Sequence, residues 1–133
     1  MRSFGWVVVA VLFGSGAPNS FAQSKITWTS GYPKTGVSAK GIYIGGTITL
    51  DNGWKIKGDG VNVRFIPDGD GKGGFLRVQA VSLMGNNIPA GEVFTLPALT
   101  SSAYYWVSME ATITDPNNKD WPISTIPVKV KAK

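Results

Sequence analysis

The sequence predicts an all-β fold, an antiparallel β-sandwich of about seven strands. Apolar and polar residues alternate with a period of two along most of the chain, and no amphipathic helical segment stands out. The stretches between these segments are rich in glycine, proline, asparagine and aspartate, the residues typical of turns. Short strands at this spacing are typical of sandwiches, although an up-and-down barrel is a competing way to close such a sheet.

Each alternating segment has an apolar face, which we expect to lie inward, and a polar face, which we expect to lie in water. In chain order the segments are KITWTS, GIYIGGTITL, WKIK, VNVRF, FLRVQA, YWVSMEATI and IPVKVKAK. The inward-facing residues predicted from this pattern are Ile26, Trp28, Ile42, Ile44, Ile48, Leu50, Trp54, Ile56, Val61, Val63, Phe65, Leu76, Val78, Ala80, Tyr105, Val107, Met109, Ala111, Ile113, Ile126, Val128, Val130 and Ala132. The predicted turns are SGYPKTG, DNG, KGDG, PDGDGKGG, MGNN, LTSS and DPNNKDWP.

The composition excludes several kinds of chemistry. The chain has 133 residues, enough for one domain, and contains neither cysteine nor histidine. Disulfides, thiolate nucleophiles, catalytic triads that use histidine, and zinc sites ligated by cysteine or histidine are therefore impossible. The formal net charge of +5 is modest: it could favour an anionic surface weakly, but ordinary solubility explains it better. Nucleic-acid binding is not expected of an exported protein with so modest a charge.

The N-terminal segment has the pattern of a signal peptide. Arg2 precedes a short apolar run, and Ser20 and Ala22 satisfy the small-x-small rule for cleavage after Ala22. The apolar run is too short to span a bilayer, and the alternative interpretation is an N-terminal strand of the core. We therefore expect a signal peptide over residues 1–22 and a β-sandwich domain over residues 23–133. The expected location is secreted or periplasmic, with no membrane span in the mature chain.

The segment FTLPALTSSAYYWVSMEATI, residues 94–113, resembles the second half of a fibronectin type III domain. In that family a leucine precedes a short turn, and a tyrosine then opens a strand of alternating apolar residues. Leu99 matches the leucine position, TSSA the turn, and Tyr105 the tyrosine position. The resemblance implies an immunoglobulin-like or fibronectin III-like sandwich, in which Leu99 and Tyr105 form a structural corner and the tyrosine hydroxyl bonds to the corner backbone.

The stretch FIPDGDGKGGFLRV, residues 65–78, is a candidate metal site. Asp68 and Asp70 fit the first two ligand positions of an EF-hand loop. Lys72 and Gln79 occupy positions at which calcium needs charged oxygen ligands, so the aspartates form only a weak calcium candidate. A glycine-rich β-hairpin tip explains the same residues better. A shared metal site is conceivable if the DPNNKDW loop lies near the acidic loop. In a sandwich, however, these two loops usually lie at opposite ends. No cofactor is indicated.

Aromatic residues are the candidates for ligand binding. Trp28 and Trp54 have the inward phase of their strands, which favours core packing. Trp106 is out of phase with Tyr105, so we expect it on the outer face of its sheet. Exposed aromatic rings can stack on sugars or anchor a partner chain, although lysine stems or an edge segment could also cover such a ring. The candidate ligand-binding residues are Trp106, Tyr104, which precedes its strand, and Trp121, which the sequence places in a polar loop.

No pair of carboxylates is placed as a glycosidase requires, so we assign no catalytic residue and expect the protein not to be an enzyme. The expected function is that of an exported, non-catalytic binding or structural module with a protein or cell-surface partner. The alternative is a small carbohydrate-binding module that stacks a polysaccharide on exposed aromatic rings. A small hydrolase is a third and less favoured interpretation, and nucleic acid is not an expected partner.

Overall fold

The computed structural model describes residues 24–69 and 76–133, so the predicted signal peptide and Asp70 lie outside the described residues. The described chain is all-β without a helix, and its strands form two antiparallel sheets of four and five strands. The predicted all-β sandwich is confirmed. The strands are β1 Lys25–Trp28, β2 Lys34–Thr35, β3 Ile42–Thr49, β4 Lys55–Pro67, β5 Arg77–Ser82, β6 Asn87–Val93, β7 Tyr104–Thr114, β8 Asp120–Ser124 and β9 Val128–Lys131.

Two strands organise the sheets. In the four-stranded sheet, β3 pairs with β1 and β2 along one side and with β6 along the other. In the five-stranded sheet, β4 pairs with β5 and β7, while β8 and β9 pair with the two halves of the free side of β7. The pairs β1/β2 and β8/β9 therefore each occupy the place of one interrupted strand. The seven predicted segments divide the chain differently, because WKIK and VNVRF both belong to β4 and no predicted segment covers β6.

The core lies between the sheets and consists mainly of the predicted inward residues. Alternation with a period of two sends every second side chain of a strand into this space, where burial of apolar surface stabilises the fold. Ile42, Val63, Phe65 and Met109 are completely buried. The buried cluster is Ile26, Ile42, Ile44, Ile48, Val61, Val63, Phe65, Ile88, Val93, Leu99, Tyr105, Val107, Met109, Val130 and Ala132.

Gly46 lets β1 and the second sheet approach β3 closely. A Cβ atom at this position would lie 2.7 Å from the carbonyl oxygen of Thr27 and 2.8 Å from Cε of Met109. Both distances are shorter than van der Waals contact, so a side chain would push apart the sheets that this part of the core joins.

Strand β5 reverses the predicted orientation. Residues directly opposite each other in paired strands share a face of the sheet. Gln79 pairs with the buried Val63, so Gln79 faces inward, whereas Val78 pairs with Arg64 and faces outward. The prediction that Leu76, Val78 and Ala80 face inward is therefore wrong: Leu76 is 41% exposed and Val78 47% exposed.

The reversal has a physical reason. Among the strands of the described residues, β5 lies at an edge of its sheet, so its inner face lies near the rim of the sandwich and can hold polar side chains. Arg77 points inward, and its Nη1 donates a hydrogen bond of 3.1 Å to the hydroxyl of Tyr105. This charge-assisted hydrogen bond holds the polar phase of β5 toward the core and leaves the apolar phase outside.

Two predicted loops belong to strands. The KGDG segment is a bulge inside the continuous strand β4, which advances from Lys57 to Asn62 while its partner advances only from Thr112 to Glu110. Gly58, with φ of +86°, provides the backbone conformation that this bulge needs. Trp121, predicted to lie in a polar loop, belongs to β8.

The sequence pattern predicts that Ile126 faces inward, but this residue is 81% exposed. It lies between β8 and β9, in the short segment that does not pair with β7. The buried Thr125 replaces it there: its N–H donates to the Met109 carbonyl, and its Oγ1 accepts from the Met109 N–H, both at 2.9 Å. The carbonyl of Ile126 accepts a 3.2 Å hydrogen bond from Nε1 of Trp28.

Candidate binding surface

The outer face of the five-stranded sheet carries neighbouring apolar side chains that are accessible to solvent. Their exposed fractions range from 40% at Trp106 to 48% at Tyr104. Pairing aligns them, because Ile66 lies opposite Trp106 on the adjacent strand and Val78 belongs to the same outward phase one strand further. We define the aromatic surface as Tyr104, Trp106, Ile66, Leu76 and Val78.

Strand β7 produces the aromatic part of this surface. Tyr105 and Val107 are buried, with 2% and 0% exposure. Tyr104 precedes them and Trp106 lies between them, so both of these side chains face outward. Alternate residues of a strand are about 7 Å apart. The two rings therefore lie side by side on one face, as the alternation in the sequence predicts for Trp106.

Hydrogen bonds hold the indole of Trp106 in place. Its Nε1 donates to Oδ1 of Asp68 at 2.9 Å, and the other carboxylate oxygen lies 3.3 Å from Nζ of Lys129. The Asp68 backbone N–H donates to the carbonyl of Tyr104 at 3.0 Å. These bonds restrict the rotation of the ring and reduce the entropy that a ligand would have to remove.

Lys129 interacts with both aromatic rings. Its Nζ lies 5.4 Å from the ring centroid of Tyr104 and 6.0 Å from that of Trp106, within the range of cation–π attraction. Lys129 pairs directly with Trp106, and Lys131 with Tyr104. The surface is therefore cationic toward β9, and the ion pair of Arg64 with Glu110 borders its apolar side chains at Val78.

A polar hollow of about 340 Å³ lies farther along the same sheet, near the bulge of β4 and strand β8. Asn62, Glu110, Thr112 and Ser124 are among the side chains that line it. Glu110 forms an ion pair of 2.5 Å with Arg64, so its carboxylate is already engaged by the protein. The hollow offers hydrogen-bonding groups without a second carboxylate in its lining.

Trp121 is separated from the other two candidates. It pairs with the buried Ile113, which gives it the opposite orientation to Trp106, and it lies at the far end of β7. Its Nε1 donates to Oδ2 of Asp115 at 2.9 Å, and Nζ of Lys119 lies 4.6 Å from its ring centroid. The structure thus brings Tyr104 and Trp106 together and places Trp121 elsewhere.

The acidic loop joins two paired strands. Strand β4 ends at Pro67, β5 begins at Arg77, and the two strands form an antiparallel hairpin. Both carboxylate oxygens of Asp68 contact protein donors, and Asp70 lies outside the described residues. Within residues 24–69 and 76–133, no three carboxylates are grouped to hold a metal ion.

The two loops considered for a shared site lie at opposite ends of the sheet. Pro67 pairs with Tyr105 at the start of β7, whereas Thr114 at its end pairs with Lys55. The loop after Thr114 is organised by Asp115, whose Oδ1 accepts the backbone N–H groups of Asn117 and Lys119. This Asx turn explains the acidic residue without a metal.

Leu99 and Tyr105 lie at the same corner of the sandwich. Leu99 is completely buried, and the backbone N–H of Thr100 donates a 2.8 Å hydrogen bond to the Tyr105 hydroxyl. The ring of Tyr105 meets that of Phe65 edge to face, with centroids 6.4 Å apart. The Ala103 N–H donates a 3.2 Å hydrogen bond to the carbonyl of Thr100, which closes the turn between Leu99 and Tyr105.

Acid is expected to destabilise the fold through three aspartates. Hydrogen bonds from Trp106, Trp121 and Lys57 lower the pKa values of Asp68, Asp115 and Asp120, respectively, below the ordinary 3.8. The folded state then binds fewer protons than the unfolded state near that pH. The stabilisation is complete above about pH 4 and is lost as the pH falls through the folded pKa values.

We expect the thermal midpoint of unfolding to fall in this pH range, and to fall less steeply in Asp115→Asn. An equal slope in both proteins would contradict the assignment of Asp115.

Sequence reasoning missed the neighbours that shape the surface. Lys129, Ile66 and Val78 become part of it only through strand pairing, and the sequence indicates Asp68 as a weak metal ligand, not as the acceptor for Trp106. The outward phase of Lys129 is visible in IPVKVKAK, but its position beside Trp106 depends on the register of β7 and β9.

The described part of the chain contains no helical segment with the length and hydropathy needed to cross a bilayer. Comparison of the chain with protein-family models, curated proteins and solved structures finds no match.

Proposed function

We propose that this chain is an exported, non-catalytic binding module that uses the aromatic surface to bind a partner protein, such as one at the cell surface. The observation that carries this proposal is the accessibility of Trp106 and Tyr104 on one sheet face, beside Ile66 and Val78. Tryptophan and tyrosine contribute much of the binding energy at protein interfaces. A ring that is already oriented by Asp68 loses little freedom on binding.

Charge and shape favour a protein partner. The apolar side chains lie next to one another, and Lys129 and Lys131 border them on the β9 side. A partner with an apolar centre and an acidic margin would complement this arrangement. The signal-peptide pattern of residues 1–22 supports export, and the lack of histidine and cysteine supports a non-catalytic role.

The fold assignment within this proposal is an immunoglobulin-like or fibronectin III-like sandwich. The strand order supports it, since interrupted β1/β2, β3 and β6 lie in one sheet and β5, β4, β7 and interrupted β8/β9 lie in the other. The bond from the Thr100 N–H to the Tyr105 hydroxyl is the contact that a tyrosine corner requires.

Replacing Trp106 by alanine is expected to weaken partner binding about tenfold or more, because the change removes the central ring of the surface. The measurement uses the tagged protein to capture a partner from a cell-surface fraction of its own organism. The affinity of the retained partner is then measured by titration. Phe94→Ala is the matched control, since Phe94 is an aromatic residue of similar exposure, 37%, that lies outside the aromatic surface. Retention of the same partner with equal affinity by both variants would contradict the proposal.

A carbohydrate is the second candidate ligand, and the polar hollow on the same sheet face favours it. A polysaccharide could stack on Trp106 and Tyr104 while its hydroxyl groups bond to Asn62 and Ser124 in the hollow. A glycan array distinguishes the two ligands. Glycan binding that is lost in Trp106→Ala would favour this candidate, whereas glycan binding that survives the substitution would remove Trp106 from it.

A further inference from the structure

Within residues 24–69 and 76–133, strand β5 pairs with β4 on one side only, so it is an open edge of the five-stranded sheet. An edge strand exposes unpaired backbone N–H and C=O groups, and proteins usually protect such edges with proline or lysine. The other sheet edges of the described chain have this protection. Pro89 interrupts β6, Pro122 lies in β8, and lysines lie on β1, β2 and β9.

Strand β5 has neither kind of protection. Its sequence is RVQAVS, and its outward side chains Val78 and Ala80 are uncharged and exposed. Its only charged residue, Arg77, donates inward to Tyr105. The strand is therefore both apolar on its outer face and able to accept a further strand.

An unpartnered acceptor lies at the centre of this edge. Gln79 faces inward, and its Oε1 is buried without a hydrogen-bond partner among the described residues. It lines a cleft of about 270 Å³ between β5 and β6, beside Val81, Ile44 and Val93. A buried amide oxygen without a donor costs free energy, so a group that brings an N–H into this cleft would be stabilised there.

We propose that two copies of this chain form a symmetric dimer in which β5 pairs antiparallel with β5 of the second copy, about a two-fold axis at Gln79. This register places the two Gln79 side chains directly opposite each other, about 5 Å apart at Cβ. Each side-chain amide can then donate to the Oε1 of the other. Val78 of each copy lies opposite Ala80 of the other, so the outer side chains form apolar pairs.

Charge disfavours a second copy less at the β5 edge than at the β9 edge. The chain carries a net charge of +5, so two copies repel each other wherever lysines meet. The β9 edge would bring Lys129 and Lys131 against their counterparts, whereas the β5 edge brings no exposed cation of its own strand. The two Arg77 side chains would be about four residues, or 14 Å, apart along the strand, beyond the range of strong repulsion in physiological salt.

The dimer has a consequence for binding. A two-fold axis perpendicular to the sheet joins the two outer faces into one continuous face, with both copies of Trp106 on the same side. A partner with repeated binding sites could engage both aromatic surfaces, and the second contact would form at high effective concentration.

Sedimentation equilibrium tests the dimer. The full chain is expressed with its N-terminal segment and purified in the form that the cells release. It is then examined over a range of concentrations. We expect a reversible monomer–dimer equilibrium. In Val78→Lys/Ala80→Lys, each lysine at 78 meets a lysine at 80 of the other copy, and we expect dimerisation to weaken about tenfold or more.

The matched variant is Val78→Lys/Ala80→Glu, in which the same register places lysine opposite glutamate in both pairs. We expect it to dimerise at least about tenfold more tightly than the lysine–lysine variant. Both positions are exposed, and thermal unfolding verifies that each variant is folded. A protein that stays monomeric at every concentration would overturn the proposal. Equal dimerisation of the two variants would overturn the β5 register. Trp106→Ala should leave the dimer unchanged, which separates this test from that of the proposed function.

Discussion

Replacing Leu99 by alanine is expected to lower the free energy of unfolding by about 2–5 kcal/mol. Leu99 is completely buried at the corner between β6 and β7, where it contributes to the core cluster. Alanine would remove apolar contacts and leave a cavity beneath a turn that the C-terminal strand holds in place. That turn relaxes little, because the Ser102 N–H donates to the carbonyl of Ala132 and the Ala132 N–H donates to that of Ala103.

Leu96→Ala is a matched control for this substitution. Leu96 lies three residues earlier in the same connection and is 100% exposed, so the same change should alter stability by no more than about 0.5 kcal/mol. Chemical denaturation with urea measures both variants. Equal losses of stability would show that Leu99 does not have the core role assigned to it.

Removing the hydroxyl of Tyr105 by substitution with phenylalanine is expected to lower the free energy of unfolding by about 1–3 kcal/mol. The hydroxyl accepts hydrogen bonds from the Thr100 N–H at 2.8 Å and from Nη1 of Arg77 at 3.1 Å. Phenylalanine keeps the ring and its edge-to-face contact with Phe65, but it removes the acceptor for both donors. Both bonds are part-buried, so leaving a donor without its acceptor costs more there than the loss of a fully exposed bond.

Tyr104→Phe provides the comparison for Tyr105→Phe. Tyr104 is the preceding residue, and its ring is 48% exposed on the opposite side of β7, so its change should be within about 0.5 kcal/mol. Urea denaturation of both variants and of the unmodified protein gives the difference. A change near zero for Tyr105→Phe would contradict the corner hydrogen bond and weaken the proposed fibronectin III-like assignment.

The structure connects the corner at Tyr105 with the aromatic surface through β5. Arg77 reaches the same hydroxyl that the corner turn uses, and the inward direction of Arg77 sends Val78 outward. The corner therefore influences which side chains form the aromatic surface. Disruption at Tyr105 should loosen the edge strand on which the proposed dimer depends, which gives the dimer and the corner a measurable coupling.

Strand β7 shows how far the sequence can predict a candidate site. The alternation YWVSMEATI identifies Tyr105 as inward and Trp106 as outward, because side chains of a strand point to opposite faces whatever its neighbours are. Turn chemistry likewise predicts the hairpin around Asp68. The pattern could not predict that Asp68 bonds Trp106, since this contact depends on two strands that are far apart in sequence.

What the sequence determined by itself is the all-β class, the absence of histidine and cysteine chemistry, and the outward direction of Trp106. These follow from composition and from a local period of two. Only the tertiary structure decided the orientation of β5, the separation of Trp121 from Trp106, and the open edge at Gln79. A period-two pattern distinguishes two faces of a strand, but long-range pairing decides which face meets the core. At an edge strand, one inward hydrogen bond such as that of Arg77 can reverse the expected choice.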